Sequence, residues 1–317
     1  MRLFVYLPLL MPTLAAPAAR PLAARLDPRH AAWLLTGAAL VLASASTTAL
    51  GLLAANAVIR VPLVARLGHW SLAIVHRNDP ASIAIAWAAG ILLAACLGAA
   101  GTFAVRRVRA LRAAYADAAC LPGGGPVIVD EQAADAYALP GRPGRIVVSA
   151  GMLHALDEPG RAALLAHESA HVVFHHYLFT SAAQLAAAAN PFLRPLAAAV
   201  EYSVERWADE HAAAAVGDRR QVAAGVARAA LAAKAGRPHR RIGVALGAVL
   251  GRSGTLSLAG AGPVPRRVAA LLDAPPRRRS LLSGAILAVL ALAALCTLEA
   301  ANDLQDLLSL AHRHGRH

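Results

Sequence analysis

Uncharged runs set off by clusters of arginine occupy both ends of this chain, while its middle mixes short apolar patches with turns and charges. Residues 3–19 carry no charge but include Pro8, Pro12 and Pro17. Arg2 precedes this run and small residues close it, so it reads either as a signal peptide or as a first membrane span. At about 1.5 Å per residue it is barely long enough to cross. Residues 31–59 and 81–105 are longer uncharged runs, and 280–298 is another near the C-terminus. The pattern predicts a mainly α membrane protein with about four transmembrane helices. Three lie within residues 1–105, at about 3–19, 31–59 and 81–105, and one at 280–298, followed by a short tail over 299–317. An inserted α+β domain fills 106–279.

Within that insert, the turn at 121–126 leads into Val127, Ile128 and Val129, a short strand candidate, and a second turn at 140–144 leads into another at 145–149. The segment Ile146 to Val148 fits a core strand as well as an edge that pairs with extended substrate. A helix then starts with Asp157 as N-cap and Glu158 and Pro159 in its first turn. Residues 180–193 are apolar and alanine-rich, broken at Asn190 and Pro191, and too short to span alone. A second long helix is expected from about Pro195 through Val216, closed by Gly217, then an amphipathic helix over 221–234. The Gly- and Arg-rich stretch 237–262 reads as a loop.

Composition agrees with a membrane protein. Hydrophobic residues make up 58% of the 317 and charged ones only 15%, too apolar for an ordinary soluble domain. The net charge of +13 raises nucleic acid as a partner. The arginines, however, form no binding module and gather beside the hydrophobic runs, as the positive-inside bias requires, so nucleic acid is excluded. Arg106, Arg107, Arg109 and Arg112 border one side of the insert and Arg277, Arg278 and Arg279 the other, while Arg60, Arg66 and Arg77 are spread out. Four spans with the N-terminus outside then place the insert in the cytoplasm, on a multi-pass protein of the cell membrane. The three cysteines, Cys96, Cys120 and Cys296, show no C-x-x-C spacing and indicate neither a thiolate metal site nor a disulfide framework.

The chemistry concentrates in His167-Glu168-Ser169-Ala170-His171, an H-E-x-x-H pattern on the first predicted helix of the insert. Positions four apart share a helix face, so both imidazoles can hold one Zn²⁺. Glu168, about 100° round, can then serve as general base towards water at the metal. Five residues alone match by chance too easily. The second helix adds Glu205 and Asp209, again four apart. A catalytic zinc takes three protein ligands and keeps one position open, which His167, His171 and Glu205 satisfy, with Asp209 free to hydrogen-bond a ligand imidazole. Glu201, one turn earlier, is the rival of Glu205. A helix salt bridge to Arg206 is the plain alternative for Asp209. His175 and His176 read as surface or membrane-interface residues, and His211 is not placed.

H-E-x-x-H followed by E-x-x-A-D on a second helix resembles the gluzincin arrangement of integral-membrane metallopeptidases, including the HtpX-type and CAAX-prenyl proteases and the BlaR/MecR-type antirepressors. Residues Ala136 to Pro140, Arg145 to Ser149 and Gly151 to Leu153 are similar to the strand region those families place before the zinc helix, and Arg267-Val268-Ala269-Ala270-Leu271-Leu272 resembles their closing R-[IV]-x-x-L element. The resemblance selects Glu205 over Glu201 and implies substrate or oxyanion contacts for Tyr137 and Arg267. Many members carry His-Pro shortly before the closing Arg; here that neighbourhood reads Gly262-Pro263-Val264-Pro265, so no histidine there can take that part. The order of spans is most similar to the BlaR/MecR type. The resemblance implies a membrane zinc metalloendopeptidase holding one Zn²⁺ per chain. Its partners would be membrane lipid and a protein or peptide substrate, with a repressor among the candidates. A membrane signalling or scaffold protein with a structural or degenerate zinc site is the alternative.

Overall fold

A computed structural model describes residues 5–59, 83–235, 263–274 and 280–314. The expected loop at 237–262 and the arginine run 277–279 lie outside the described residues. In chain order the helices and strands are α1 (Leu7–Arg25), α2 (Pro28–Ile59), α3 (Ile83–Cys120), β1 (Val127–Val129), β2 (Ala136–Leu139) and β3 (Arg145–Ser149). There follow α4 (Ala150–Ala155), α5 (Glu158–Val173), α6 (His176–Ala189), a 3₁₀ turn (Pro191–Leu193), α7 (Arg194–Val216), α8 (Arg219–Ala235), α9 (Pro263–Leu272) and α10 (Ser280–His314).

Among the described residues two helices, not four, are long and apolar enough to cross a membrane: Pro28–Ala55 within α2, and α3. The expectation of four spans is corrected at both ends of the chain. α1 has Pro12, Pro17 and Pro21 inside it, and Ala19 and Ala23 are fully buried in the main core with Leu26, Leu35, Val200 and Val204. Arg206 of α7 donates from Nη1 to the carbonyls of Ala23 and Ala24, at 2.9 and 3.3 Å, and so satisfies carbonyls that the end of α1 leaves unpaired. Residues 7–25 are thus built into the body of the protein. At the other end, the apolar stretch of α10 among the described residues is Ser283–Glu299, short of a full span. α2 and α3 also differ from each other. Half of the apolar window of α2 is buried against the rest of the protein, whereas about a tenth of that of α3 is (11%). Ile85, Trp87, Ile91, Leu92 and Leu97 of α3 are all exposed, a continuous apolar surface suited to lipid. Nor does α3 stop at its arginines. It runs on to Cys120, and Arg107 is buried, with Nε donating to Ser181 Oγ of α6 at 2.7 Å.

The sheet has the order β1-β3-β2, with β1 parallel and β2 antiparallel to β3. β3 is therefore central, and the reading of Ile146 to Val148 as an edge open to substrate is wrong. Both of its faces are covered. Val147 packs with Ala114, Ala118 and Leu139, and Val148 with Ala136, Met152 and Leu156. Alternate residues point to opposite faces, so two consecutive buried valines are what a strand enclosed on both sides requires. The β2–β3 turn lies on the end of α5: a Cβ at Gly144 would stand 2.5 Å from Val172 Cγ1, so only glycine allows that approach.

α5 begins as the sequence predicts. Asp157 caps it by accepting from Gly160 N at 3.0 Å, with Pro159 in its first turn. It ends at Val173 with Phe174 as its C-cap, and His175, a non-glycine residue in the left-handed region (φ 50°), turns the chain back into α6. α7 follows the Asn190-Pro191 break and ends at Gly217, whose φ of 81° suits glycine. α5 and α7 pack side by side, and Ala163 of α5 shares a small core with Ala212, Ala213, Val222 and Leu271. That core ties α8 and α9 to the pair.

Candidate metal centre

His167 and His171 project from α5 towards α7, where Glu205 faces them. His167 Nε2 and His171 Nε2 are 3.2 Å apart. Glu205 Oε2 is 3.7 Å from the first and Oε1 is 3.6 Å from the second. Three donor atoms thus lie within 4.8 Å of one another. Ligands about 2.0–2.1 Å from a tetrahedral zinc stand roughly 3.3–3.4 Å from each other, so the cluster has the size that zinc needs. Two imidazole nitrogens and a carboxylate also suit zinc chemically. His167 is buried, while Glu205 keeps 37% of its side-chain surface exposed. Open space therefore adjoins the carboxylate, even though charged groups crowd its oxygens.

A second layer surrounds these donors. His167 Nδ1 lies 3.0 Å from Asp209 Oδ1, a close ionic contact although it does not form a straight hydrogen bond. Arg267 of α9 reaches both acids: Nε to Asp209 Oδ2 at 2.8 Å, Nη2 to Asp209 Oδ1 at 2.6 Å and Nη1 to Glu205 Oε2 at 2.7 Å. Such a fork is the geometry for which a guanidinium is suited. Burial by itself would raise both carboxyls, but the Arg267 charge and the imidazoles hold Glu205 well below the usual range and Asp209 at about 2. Burial disfavours charge on His167, yet Asp209 and then Glu205 push it up to about 9. Arg267, buried among Asp209, Glu205 and Glu168, is held even more firmly charged than usual. A metal entering at neutral pH must therefore displace a proton from His167.

Glu168, next to His167, is itself 8% exposed. Glu201, the rival ligand, points elsewhere and accepts from Gln184 Nε2 at 2.6 Å. Asp209 pairs with Arg267 and His167, not with Arg206, whose Nη1 is engaged with α1. Tyr137, on β2 beside α5, is half-buried against Ala114, Ala118, Leu139 and Val147.

The sequence reading is wrong about His176, which is 1% exposed rather than at a surface. Its Nδ1 lies 3.0 Å from His171 Nδ1, and its ring rests against Phe174 and Trp207. Burial, then the neighbouring His171, lowers its pKa to about 3, so it is neutral. His175 is exposed as expected, and His211 meets the far side of the same aromatic group, edge-on to Phe174.

Residues 104–187 match the family model of peptidase family M48. The M48 match covers about a quarter of the chain and contains His167, Glu168 and His171. It ends before Glu205, so the third member of the cluster rests on geometry. No curated protein and no solved structure matches the chain.

Proposed function

We propose that the chain is a zinc-dependent metalloendopeptidase of the cell membrane. The observation that carries this is the convergence of His167 Nε2, His171 Nε2 and a Glu205 oxygen beside the buried Glu168. Zinc bound there supplies a Lewis acid that polarises the scissile carbonyl and makes water a nucleophile at neutral pH. Glu168 takes the proton of the attacking water on a carboxylate oxygen and passes it to the leaving amine. Asp209 steadies His167 through Nδ1, and Arg267 steadies Asp209 and Glu205 together. That Nε, Nη1 and Nη2 of Arg267 all face carboxylates supports reading it as the group that holds the acids rather than as an oxyanion contact. Tyr137 is retained as a candidate substrate contact, because β2 borders α5.

The finer reading is regulatory proteolysis of a protein substrate, in the manner of the BlaR/MecR type, by a domain facing the cytoplasm. It is supported by the arginines that follow the apolar part of α3. With α3 spanning, a reporter inserted at residue 70 and one fused after Gly217 should report opposite faces of the membrane, the second cytoplasmic. Same-side signals would remove α3 as a span. The metal is tested directly: purified protein should hold about one zinc per chain, and His171→Ala should hold far less. Equal zinc content in both would end the proposal. The scaffold alternative accommodates bound zinc but not a need for Glu168.

A further inference from the structure

Two ring nitrogens 3.0 Å apart, in a partly buried contact, must divide one proton between them. His171 turns Nε2 towards His167 and Glu205, so that nitrogen must present its lone pair to a metal, and the proton of His171 belongs on Nδ1. His176 Nδ1 is then the acceptor, and the proton of His176 must sit on Nε2. That Nε2 is buried without a hydrogen-bond partner among the described residues. A buried donor without a partner is destabilising, and phenylalanine would stack on Phe174 and Trp207 without it. The histidine is therefore explained by its other nitrogen. The left-handed turn at His175 provides the path: it breaks α5 directly after the zinc motif and folds His176 back onto His171.

We propose that His176 is a positioning residue for the metal centre, accepting a hydrogen bond from His171 Nδ1 and so fixing the tautomer and ring plane in which Nε2 faces the metal. Asp209 does the corresponding work for His167, so each imidazole ligand has its own partner, one a carboxylate and one a neutral ring. The inference rests on the zinc reading above and goes beyond it.

The test compares His176→Phe, which keeps the aromatic packing, with His176→Asn, whose side-chain oxygen can take the place of Nδ1. Zinc dissociation constants are measured by chelator competition on the purified full chain in detergent, and cobalt-substituted samples are followed by their visible ligand-field bands. Removing such a partner typically weakens metal affinity about 10–100-fold. His176→Phe should show that loss with shifted cobalt bands, and His176→Asn should recover most of the affinity. Zinc binding and cobalt bands in His176→Phe equal to wild type would overturn the proposal, as would equal losses in two folded variants. Should His176→Phe not fold, ¹⁵N spectra of zinc-loaded wild type decide: a proton on His171 Nδ1 supports the proposal and a bare Nδ1 refutes it. A wild type that binds no zinc would sink the metallopeptidase reading as well, an outcome distinct from all of these.

Discussion

Glu168→Gln is expected to leave zinc in place and to reduce peptide hydrolysis by about 10²–10⁴-fold, the usual contribution of a positioned general base. The substitution is nearly isosteric and leaves His167, His171 and Glu205, the three converging donors, untouched. What disappears is the carboxylate next to the pair that takes a proton from water and returns it to an amine in the proposed mechanism. Glu168 is buried, so bulk solvent is poorly placed to substitute for it. The measurement is cleavage of an unfolded or membrane-proximal test protein, with zinc content and melting temperature determined on the same preparation. Full proteolysis by a zinc-loaded Glu168→Gln protein would show that the hydrolytic mechanism is wrong. Loss of zinc together with loss of activity would point to a structural part for Glu168.

What could be read in advance was whatever a regular helix dictates. His167 and His171, and likewise Glu205 and Asp209, are one turn apart, so a period of 3.6 puts each pair on one face without reference to the rest of the fold. Asp157 and Gly217 were legible for the same local reason, as caps. His176 was not. Along an unbroken helix, residue 176 would sit about 140° round from His171, and only the left-handed conformation of His175 returns it to the site. That conformation is rare outside glycine, and nothing nearby in the sequence announces it.

The spans were overcounted because hydropathy cannot tell lipid from protein. Ala19 raises the apolar score of residues 3–19, yet it and Ala23 of the same helix are fully buried where helices pack against one another. Small residues permit that close approach. Arg267 was visible as a motif, but its partners lie about sixty positions earlier, and only the packing of α9 on α7 and α8 shows that its nitrogens face Glu205 and Asp209. Burial of β3 on both faces likewise depended on the placement of α3 against one face and of Met152 and Leu156 against the other.

Arg267→Leu should be the most destabilising single change at the centre. It removes three hydrogen bonds and leaves Asp209, with 2% of its side chain exposed, without its guanidinium. Breaking a buried pair on one side is typically destabilising by about 3–5 kcal/mol. Most of that belongs to Asp209, because Glu205, at 37% exposure, can recover part of its loss from water. A fall in melting temperature on the order of 10 °C follows for a domain of this size, measured in detergent with the metal chelated so that no ion compensates. The sign of the pH dependence is fixed. In the wild type the Asp209 carboxyl is held at about 2, below its ordinary 3.8. Its stabilisation is therefore fully present above the ordinary value and lost as pH falls through the lowered one. Without Arg267 the buried carboxyl protonates more readily, so the variant's deficit should be largest at neutral pH and shrink as pH drops below about 4. Arg267→Lys keeps the charge but not the planar fork and should fall between the two. A melting temperature for Arg267→Leu equal to that of the wild type at neutral pH would mean that the Arg267–Asp209 pair does not hold α9 on the metal centre.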